Sequence, residues 1–267
     1  MELLCPVCGK SLCRAEQCFR CENRHSFDVA RQGYVNLLTV DRKHAKHPGD
    51  PKEQVAARKA FLDGGFYAPI AQKAAEYLLP LAPHAVLDAG CGEGYYLTCL
   101  QNKRPECRFA GVDISKDAVR YAAVRNKHIL WLTATAAALP FPDESFDCVL
   151  SMFALTVPEE FSRVLDKGGH FLQVLAGQEH LMNLKSVIYP EILRKDKNLH
   201  PALPGFSLVK SETQEFSFSL TKGEQVQDLL SMTPHFWRIS KEGAQRLSQT
   251  DTLTDTAQVV WNLYRKE

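Results

Sequence analysis

Cys5-Pro-Val-Cys8 sets two thiols on one short turn, and Cys21-Glu-Asn-Arg-His25 follows after twelve intervening residues. Two thiolates on one knuckle and a second pair on the next close a tetrahedron of soft and borderline donors, the set zinc prefers. Four protein ligands leave no open position, so the implied metal is structural, one Zn2+ per chain. The segment is too short to build a hydrophobic core of its own, so metal binding supplies much of its folding free energy. Cys18 and Cys21 share the Cys-x2-Cys spacing, so Cys5, Cys8, Cys18 and Cys21 form an alternative set. We favour Cys21 with His25, because Cys18-Phe19-Arg20 reads as a strand leading into a knuckle and Glu22-Asn23-Arg24 as its turn.

A second constellation lies further along. Val86-Leu87-Asp88-Ala89-Gly90-Cys91-Gly92-Glu93-Gly94 is a buried-strand pattern running into a turn. Its glycines let backbone approach a ligand closely. The dinucleotide fingerprint needs G-x-G-x-x-G, but here the third glycine comes one residue early and position 95 is Tyr. The pattern D-x-G-x-G-x-G resembles the first motif of class I S-adenosylmethionine methyltransferases. An Asp ahead of the glycines suits a ligand bearing an ammonium group, as in a methionine moiety, and not a pyrophosphate. Gly111-Val112-Asp113-Ile114-Ser115 ends the next strand, where a carboxylate can accept hydrogen bonds from both ribose hydroxyls. Ala134-Thr135-Ala136 follows a third strand, where an adenine would lie. Leu139-Pro140-Phe141 and Ser145-Phe146-Asp147-Cys148-Val149 lead into a fourth.

These residues need a scaffold of alternating elements. Strands are expected over 84–90, 108–114, 128–134, 146–153 and 170–175. Helices are expected over 93–102, 115–125 with Ser115 as cap, and 157–165, the last ending at Lys167-Gly168-Gly169. This βαβ rhythm specifies an α/β fold, a Rossmann-like doubly wound sheet with its ligand at the carboxyl edge. Long strands over 206–220 and 252–264 are expected to pair antiparallel at one sheet edge. Upstream, Asp50, Pro51 and Glu53 read as N-cap, first-turn proline and capping-box acid of a helix that Gly64 and Gly65 end. Another helix is expected over 67–79, with Ala71, Ala74, Ala75, Leu78 and Leu79 on its apolar face and Pro80 and Pro83 closing it. Residues 26–38 are expected to pack on the zinc unit.

Composition bounds the class. The 267 residues are 45% hydrophobic and 24% charged, which excludes disordered, collagen-like and supercharged chains. No apolar run reaches the about 20 residues of a membrane span. Met1 to Lys10 holds no apolar stretch after a basic start, so the chain is read as cytoplasmic, where nine cysteines mean metal ligands or free thiols. The net charge of +1 hides an asymmetry: residues 1–60 hold 11 Lys+Arg against 7 Asp+Glu, and the remainder 21 against 24. Arg42, Lys43, His44, Lys46 and His47, followed by Lys52, Arg58 and Lys59, suggest an anionic partner at one end.

Five blocks carry a more specific resemblance: Phe27 through Gly33-Tyr34-Val35-Asn36-Leu37-Leu38, Phe61 through Gly65-Phe66-Tyr67, Cys91 through Tyr95-Tyr96, His180 through Lys185, and Met232-Thr233-Pro234 with Trp237. Together with the cysteine knuckles they resemble the 23S ribosomal RNA (guanine-N1)-methyltransferases over essentially the whole chain. The resemblance implies zinc on Cys5, Cys8, Cys21 and His25. It implies cofactor contacts from Tyr67, Gly92, Glu93 and His180, beside Asp88, Gly90, Gly94 and Asp113 from the motifs. It also implies a homodimer whose paired zinc units help grip a 23S rRNA hairpin. We divide the chain into a zinc-binding RNA-recognition domain (1–38), a basic linker with helices (39–83) and a methyltransferase domain (84–267). One departure stands out: where members of the family often have Ala-Pro after the fourth strand, this chain has Ala154-Leu155, with proline delayed to Pro158.

The implied reaction moves the methyl group of S-adenosylmethionine to N1 of a guanine. The sulfonium is already a good leaving group, so in-line positioning is the main task. A carboxylate, a histidine or water could take the N1 proton, and no catalytic residue is assigned. The Asn-Pro-Pro-Tyr-type motif of exocyclic-amine chemistry is replaced by Ser151-Met152-Phe153-Ala154, which argues against adenine-N6. Cys148 lies within a strand and reads as core, not as a nucleophile. A guanine in a folded hairpin must unstack to reach a pocket. Phe153 and Trp237 are candidate stacking partners, with core packing as the competing reading. The alternative function is a small-molecule methyltransferase whose zinc unit mediates protein contacts. A third is a zinc-organised RNA-binding protein with a vestigial core, which the intact Asp88, Gly90, Gly92, Gly94 and Asp113 oppose.

Overall fold

The structure is a computed structural model in which residues 1–40, 48–193 and 196–267 are described. Four short strands, β1 (Leu3–Leu4), β2 (Ser11–Ala15), β3 (Cys18–Arg20) and β4 (Ser26–Asp28), form an antiparallel sheet of their own at the N-terminus. Leu3, Leu12, Cys5 and Cys21 are buried there and share one apolar cluster with Leu139 and Phe141. The Leu4 amide donates to the Pro140 carbonyl at 2.9 Å, so the small sheet is stitched to the large one through the Leu-Pro-Phe segment.

Residues 26–38 do not pack on the small sheet as one piece. β4 belongs to it, but β5 (Tyr34–Asn36) crosses over and pairs parallel with β8 (Leu130–Thr133) as the outermost strand of the large sheet. The reason is burial: Tyr34, Val35, Leu37 and Leu38 are all buried, too much apolar surface for a four-stranded zinc unit to cover.

Next come α1 (Lys52–Asp63) and α2 (Ala68–Leu78), then β6 (Ala85–Ala89), α3 (Tyr95–Lys103), β7 (Arg108–Asp113), α4 (Lys116–Arg125), β8, β9 (Phe146–Met152), α5 (Pro158–Val164) and β10 (Leu165–Ala176). The apolar spacing read from the sequence holds in α2: Ala71, Ala74, Ala75 and Leu78 are buried on one face. Ser115 caps α4 as expected, its hydroxyl accepting from the Ala118 amide at 3.3 Å. Asp50 does not cap α1. Pro51 holds the cap position, and the Asp50 carboxylate instead pairs with Arg58 at 2.6 Å. Lys167-Gly168-Gly169 does not terminate a helix either: α5 ends at Val164, and these residues form an irregular stretch of β10 where the register against β9 shifts.

The large sheet has the order β11-β12-β10-β9-β6-β7-β8-β5. Strands β6 to β10 are parallel, while β11 (Phe206–Leu220) and β12 (Leu253–Lys266) are the antiparallel pair expected at the edge. Between them lie α7 (Gly223–Ser231), a 3-10 turn (Pro234–Trp237) and α8 (Lys241–Ser248); α6 (Met182–Ile188) follows β10. The chain walks outward from β6 through β7 to β8, then returns to β9 on the other side of β6. That reversal opens a crevice at the carboxyl ends of β6 and β9.

Candidate functional site: a thiolate–imidazole cluster and a cavity at the sheet's carboxyl edge

Turn backbone brings Cys5, Cys8, Cys21 and His25 together, with all four ligand atoms within 4.8 Å of one another. Cys8 Sγ lies 3.7 Å from Cys21 Sγ, and His25 Nδ1 lies 3.5 Å from Cys5 Sγ and 3.4 Å from Cys21 Sγ. Zinc–sulfur bonds of about 2.3 Å at tetrahedral angles put two sulfurs about 3.7 Å apart, so the donor set fits the metal in type and in size. Cys18 stands outside the cluster and donates to the Ala15 carbonyl at 3.3 Å, which decides between the two sets left open by spacing. The Lys10 amide, hydrogen-bonded to Cys8, pulls that thiol down to about 6, toward the thiolate a metal needs.

The crevice holds a cavity of about 840 Å3. Its floor is the turn from β6 to α3. Gly90 has φ +93°, and a Cβ there would sit 2.4 Å from the Ala154 Cβ; Gly94 has φ +81°, and a Cβ would meet Trp131 at 2.7 Å. Only glycine lets the turn close against both neighbours. Asp88 is buried with Oδ1 lacking any hydrogen-bond partner. Burial, then the charges of Asp113 and Glu93, push its carboxyl up to about 8. Asp113 accepts from the Gly92 amide at 2.9 Å and the Ser115 amide at 2.8 Å, one bond to each oxygen. Burial still raises its pKa, against those two amides. Glu93 is also buried and raised by desolvation, although Arg125 lies 3.1 Å away at ion-pair distance without hydrogen-bond alignment. Arg125 and Arg58 already oppose Glu93, and Arg58 with two amides opposes Asp113, whereas Asp88 has an unpartnered oxygen and no cation acting on it, a costly arrangement that a cationic ligand relieves. The cavity therefore fits a nucleoside carrying a sulfonium and an ammonium group.

Tyr67, at the start of α2, and His180, after β10, line the same cavity. The Tyr67 hydroxyl and His180 Nε2 are 3.2 Å apart, and His180 Nδ1 donates to the Gln258 carbonyl at 2.9 Å. Burial holds His180 down to about 4, so it is neutral at pH 7. All eight residues expected at the cofactor are thus neighbours of one void or of the turn that floors it. Phe153 and Trp237 also line the cavity, 39% and 67% exposed, so neither is core. Phe153 has φ +57°, an uncommon conformation for a bulky residue. Cys148 is fully buried in β9, and its thiol is driven far above the ordinary value by desolvation; it is core.

Sequence reasoning missed Arg58, Lys185, Lys197 and Arg238 as cavity-lining residues. Arg58 and Lys59, expected from the sequence to serve an anionic partner, are instead ion-paired within the chain, Arg58 with Asp50 and Lys59 with Asp63. The densest cations, Arg42 to His47, lie outside the described residues. No single-sequence pattern marks Lys197, which reaches the cavity from an irregular segment.

Residues 3–46 match the family model described as RlmA, N-terminal, and residues 86–172 match that of the methyltransferase domain. A 23S rRNA (guanine(748)-N(1))-methyltransferase of Streptomyces fradiae is 38% identical over 68% of this chain and 66% of its own length. A protein described as a putative 23S rRNA (guanine-N(1)-)-methyltransferase of Micromonospora griseorubida is 34% identical over 98% of this chain and 97% of its own. The Bacillus subtilis protein YxjB, with the same description, is 29% identical over 96% and 94%. With its zinc ribbon, S-adenosylmethionine-type cradle and full-length similarity, the chain belongs to the 23S rRNA (guanine-N1)-methyltransferase family.

Proposed function

We propose that this protein methylates N1 of a guanine in a 23S rRNA hairpin. The observation that carries the reading is a single cavity with a desolvated acidic floor, Asp88, Glu93 and Asp113, that also takes in two exposed aromatic rings, Phe153 and Trp237. The floor suits the cofactor; the rings suit a base taken out of its stack. S-adenosylmethionine supplies an activated methyl group. Asp88 holds the ammonium group, Asp113 the ribose hydroxyls, and Gly90, Gly92 and Gly94 keep the wall thin. Glu93, Tyr67 and His180 complete the cofactor contacts. Tyr67 and His180 position each other, and because both His180 nitrogens are engaged, its role is to orient and not to carry a proton.

Residues 1–38 serve RNA recognition, held by zinc on Cys5, Cys8, Cys21 and His25; residues 39–83 link them to the methyltransferase unit, 84–267. The working form is a cytoplasmic homodimer that presents both zinc units to the hairpin. Among the described residues no helix is long and apolar enough to cross a membrane.

The test is primer extension on 23S rRNA from cells with and without the protein, with mass spectrometry of the stop. A stop at a guanine that appears only with the protein and carries N1-methylguanosine supports the reading. An unchanged rRNA, with methyl transfer to a small acceptor instead, replaces it with the small-molecule alternative.

A further inference from the structure

Besides Arg58, which acts on Glu93 and Asp113, three more cations line the cavity: Lys185 on α6, Lys197 in the segment before β11, and Arg238 after the 3-10 turn. Among the described residues no ion pair joins any of the three to a carboxylate, although Lys10, Lys59, Lys73 and Lys210 each have one. Lys197 donates to the Gly177 carbonyl at 2.7 Å and the Ala176 carbonyl at 3.3 Å, which leaves one N–H uncommitted. The polar neighbour of the Lys185 ammonium is the Met182 sulfur, 3.9 Å away. Burial depresses both lysines; Lys185 is further lowered by Lys197 while Asp255 and Glu179 pull it the other way, and His235 is driven down to about 4 by burial and then by Lys185, Arg238 and Lys197. Partly desolvated cations that lower one another's pKa and form no ion pair among the described residues are an arrangement that a bound anion relieves.

The cofactor's sulfonium and ammonium suit the acidic floor and not these cations; its single carboxylate is the other anion they could meet, and cofactor affinity measured in parallel separates the two. A nucleotide extruded into the cavity brings its base to the reacting methyl and leaves its sugar–phosphate at the mouth. The cations line the same cavity as Phe153 and Trp237. We propose that Lys185, Lys197 and Arg238 form a binding site for an RNA phosphodiester adjoining the target guanine. This rests on the rRNA reading above and adds the element that fixes the strand while the base is held between rings.

The experiment measures binding of the full-length zinc-loaded protein to deproteinised 23S rRNA across a salt series, with cofactor affinity measured in parallel by calorimetry. The variants are K185Q/K197Q and, because Lys197 also braces two carbonyls, the exposed R238Q alone. The expected result is about a tenfold loss of RNA affinity in the double variant, with the salt slope reduced by about one to two and by about one in R238Q. Cofactor affinity is expected to stay within about twofold. An unchanged salt slope in both variants overturns the proposal. So does a matching loss of cofactor affinity, which would assign the lysines to the cofactor's own carboxylate. A wild-type protein that binds no rRNA strikes instead at the functional reading.

Discussion

The Tyr67 hydroxyl donates to His180 Nε2 at 3.2 Å, tying the start of α2 to the loop after β10 across the cavity, 113 residues apart in the chain. His180 Nδ1 must donate to its partner, the Gln258 carbonyl, so Nε2 is the bare nitrogen and the ring is neutral.

The titration of His180 follows. Burial lowers its folded value to about 4 from 6.5. The unfolded chain then binds the extra proton first, so this contribution is complete above pH 6.5 and is lost as pH falls toward 4. Urea unfolding at pH 7 and pH 5 is expected to show wild type losing roughly 1–3 kcal/mol more than His180→Gln over that interval. Equal losses would mean that the imidazole is solvated in the folded protein.

Asp88 titrates in the opposite sense. Its folded value of about 8 lies above the usual 3.8, so the ligand-free protein is destabilised as pH rises through that window. Asp88→Asn is expected to stabilise the ligand-free protein by roughly 1–3 kcal/mol at pH 7, because the amide, unlike the carboxylate of the unfolded chain, need not take up a proton to be buried. The same change is expected to weaken S-adenosylmethionine at least about tenfold, since a charge-assisted hydrogen bond is lost. Thermal denaturation and calorimetry check both halves. A substitution that lowered stability and spared affinity would place Asp88 in the scaffold alone.

The zinc unit and the sheet separate energetically at β5. β5 is held by β8, whereas β1 to β4 depend on four ligands and a small apolar contact with Leu139 and Phe141. Cys5→Ser is expected to release zinc, unfold residues before β5 and abolish rRNA methylation, while cofactor affinity falls less than about tenfold. Zinc content, limited proteolysis and calorimetry report on each. Retained metal and activity would refute a structural ion at this cluster.

The legibility of the chain was uneven for physical reasons. Motifs at strand ends, Asp88 to Gly94 and Asp113, were readable because a strand-to-helix turn that approaches a ligand allows few residue types. The knuckles were readable because metal geometry fixes spacing. The destination of β5 was not, since Tyr34-Val35-Asn36 is too short to have a period and its partner lies about a hundred residues away. Asp50 looked like a cap because cap residues and ion-pair residues are the same type, and only three dimensions place Arg58 beside it. Lys185 ends one of the resembling blocks, but nothing local joins it to Lys197 and Arg238, because the three come from separate elements that only the fold brings to one cavity.

Phe153 offers the sharpest separation of stability from function. Its amide donates to the Val174 carbonyl at 2.9 Å, and the Ser151 hydroxyl donates to the Ala154 carbonyl at 3.2 Å, so the chain is pinned on both sides of a residue at φ +57°. A left-handed phenylalanine costs about 1 kcal/mol or more, and such strain persists at sites where a side chain must face a ligand. Phe153→Gly removes the strain along with a ring that is 39% exposed. The variant is expected to keep its melting temperature within a few degrees and its cofactor affinity unchanged. Its kcat/KM on rRNA is expected to fall about tenfold or more, the loss of one base–aromatic stack of about 1–3 kcal/mol, and Phe153→Tyr is expected to restore it. Full rRNA methylation by Phe153→Gly would make the ring a wall of the cavity and leave its backbone conformation without a functional reason.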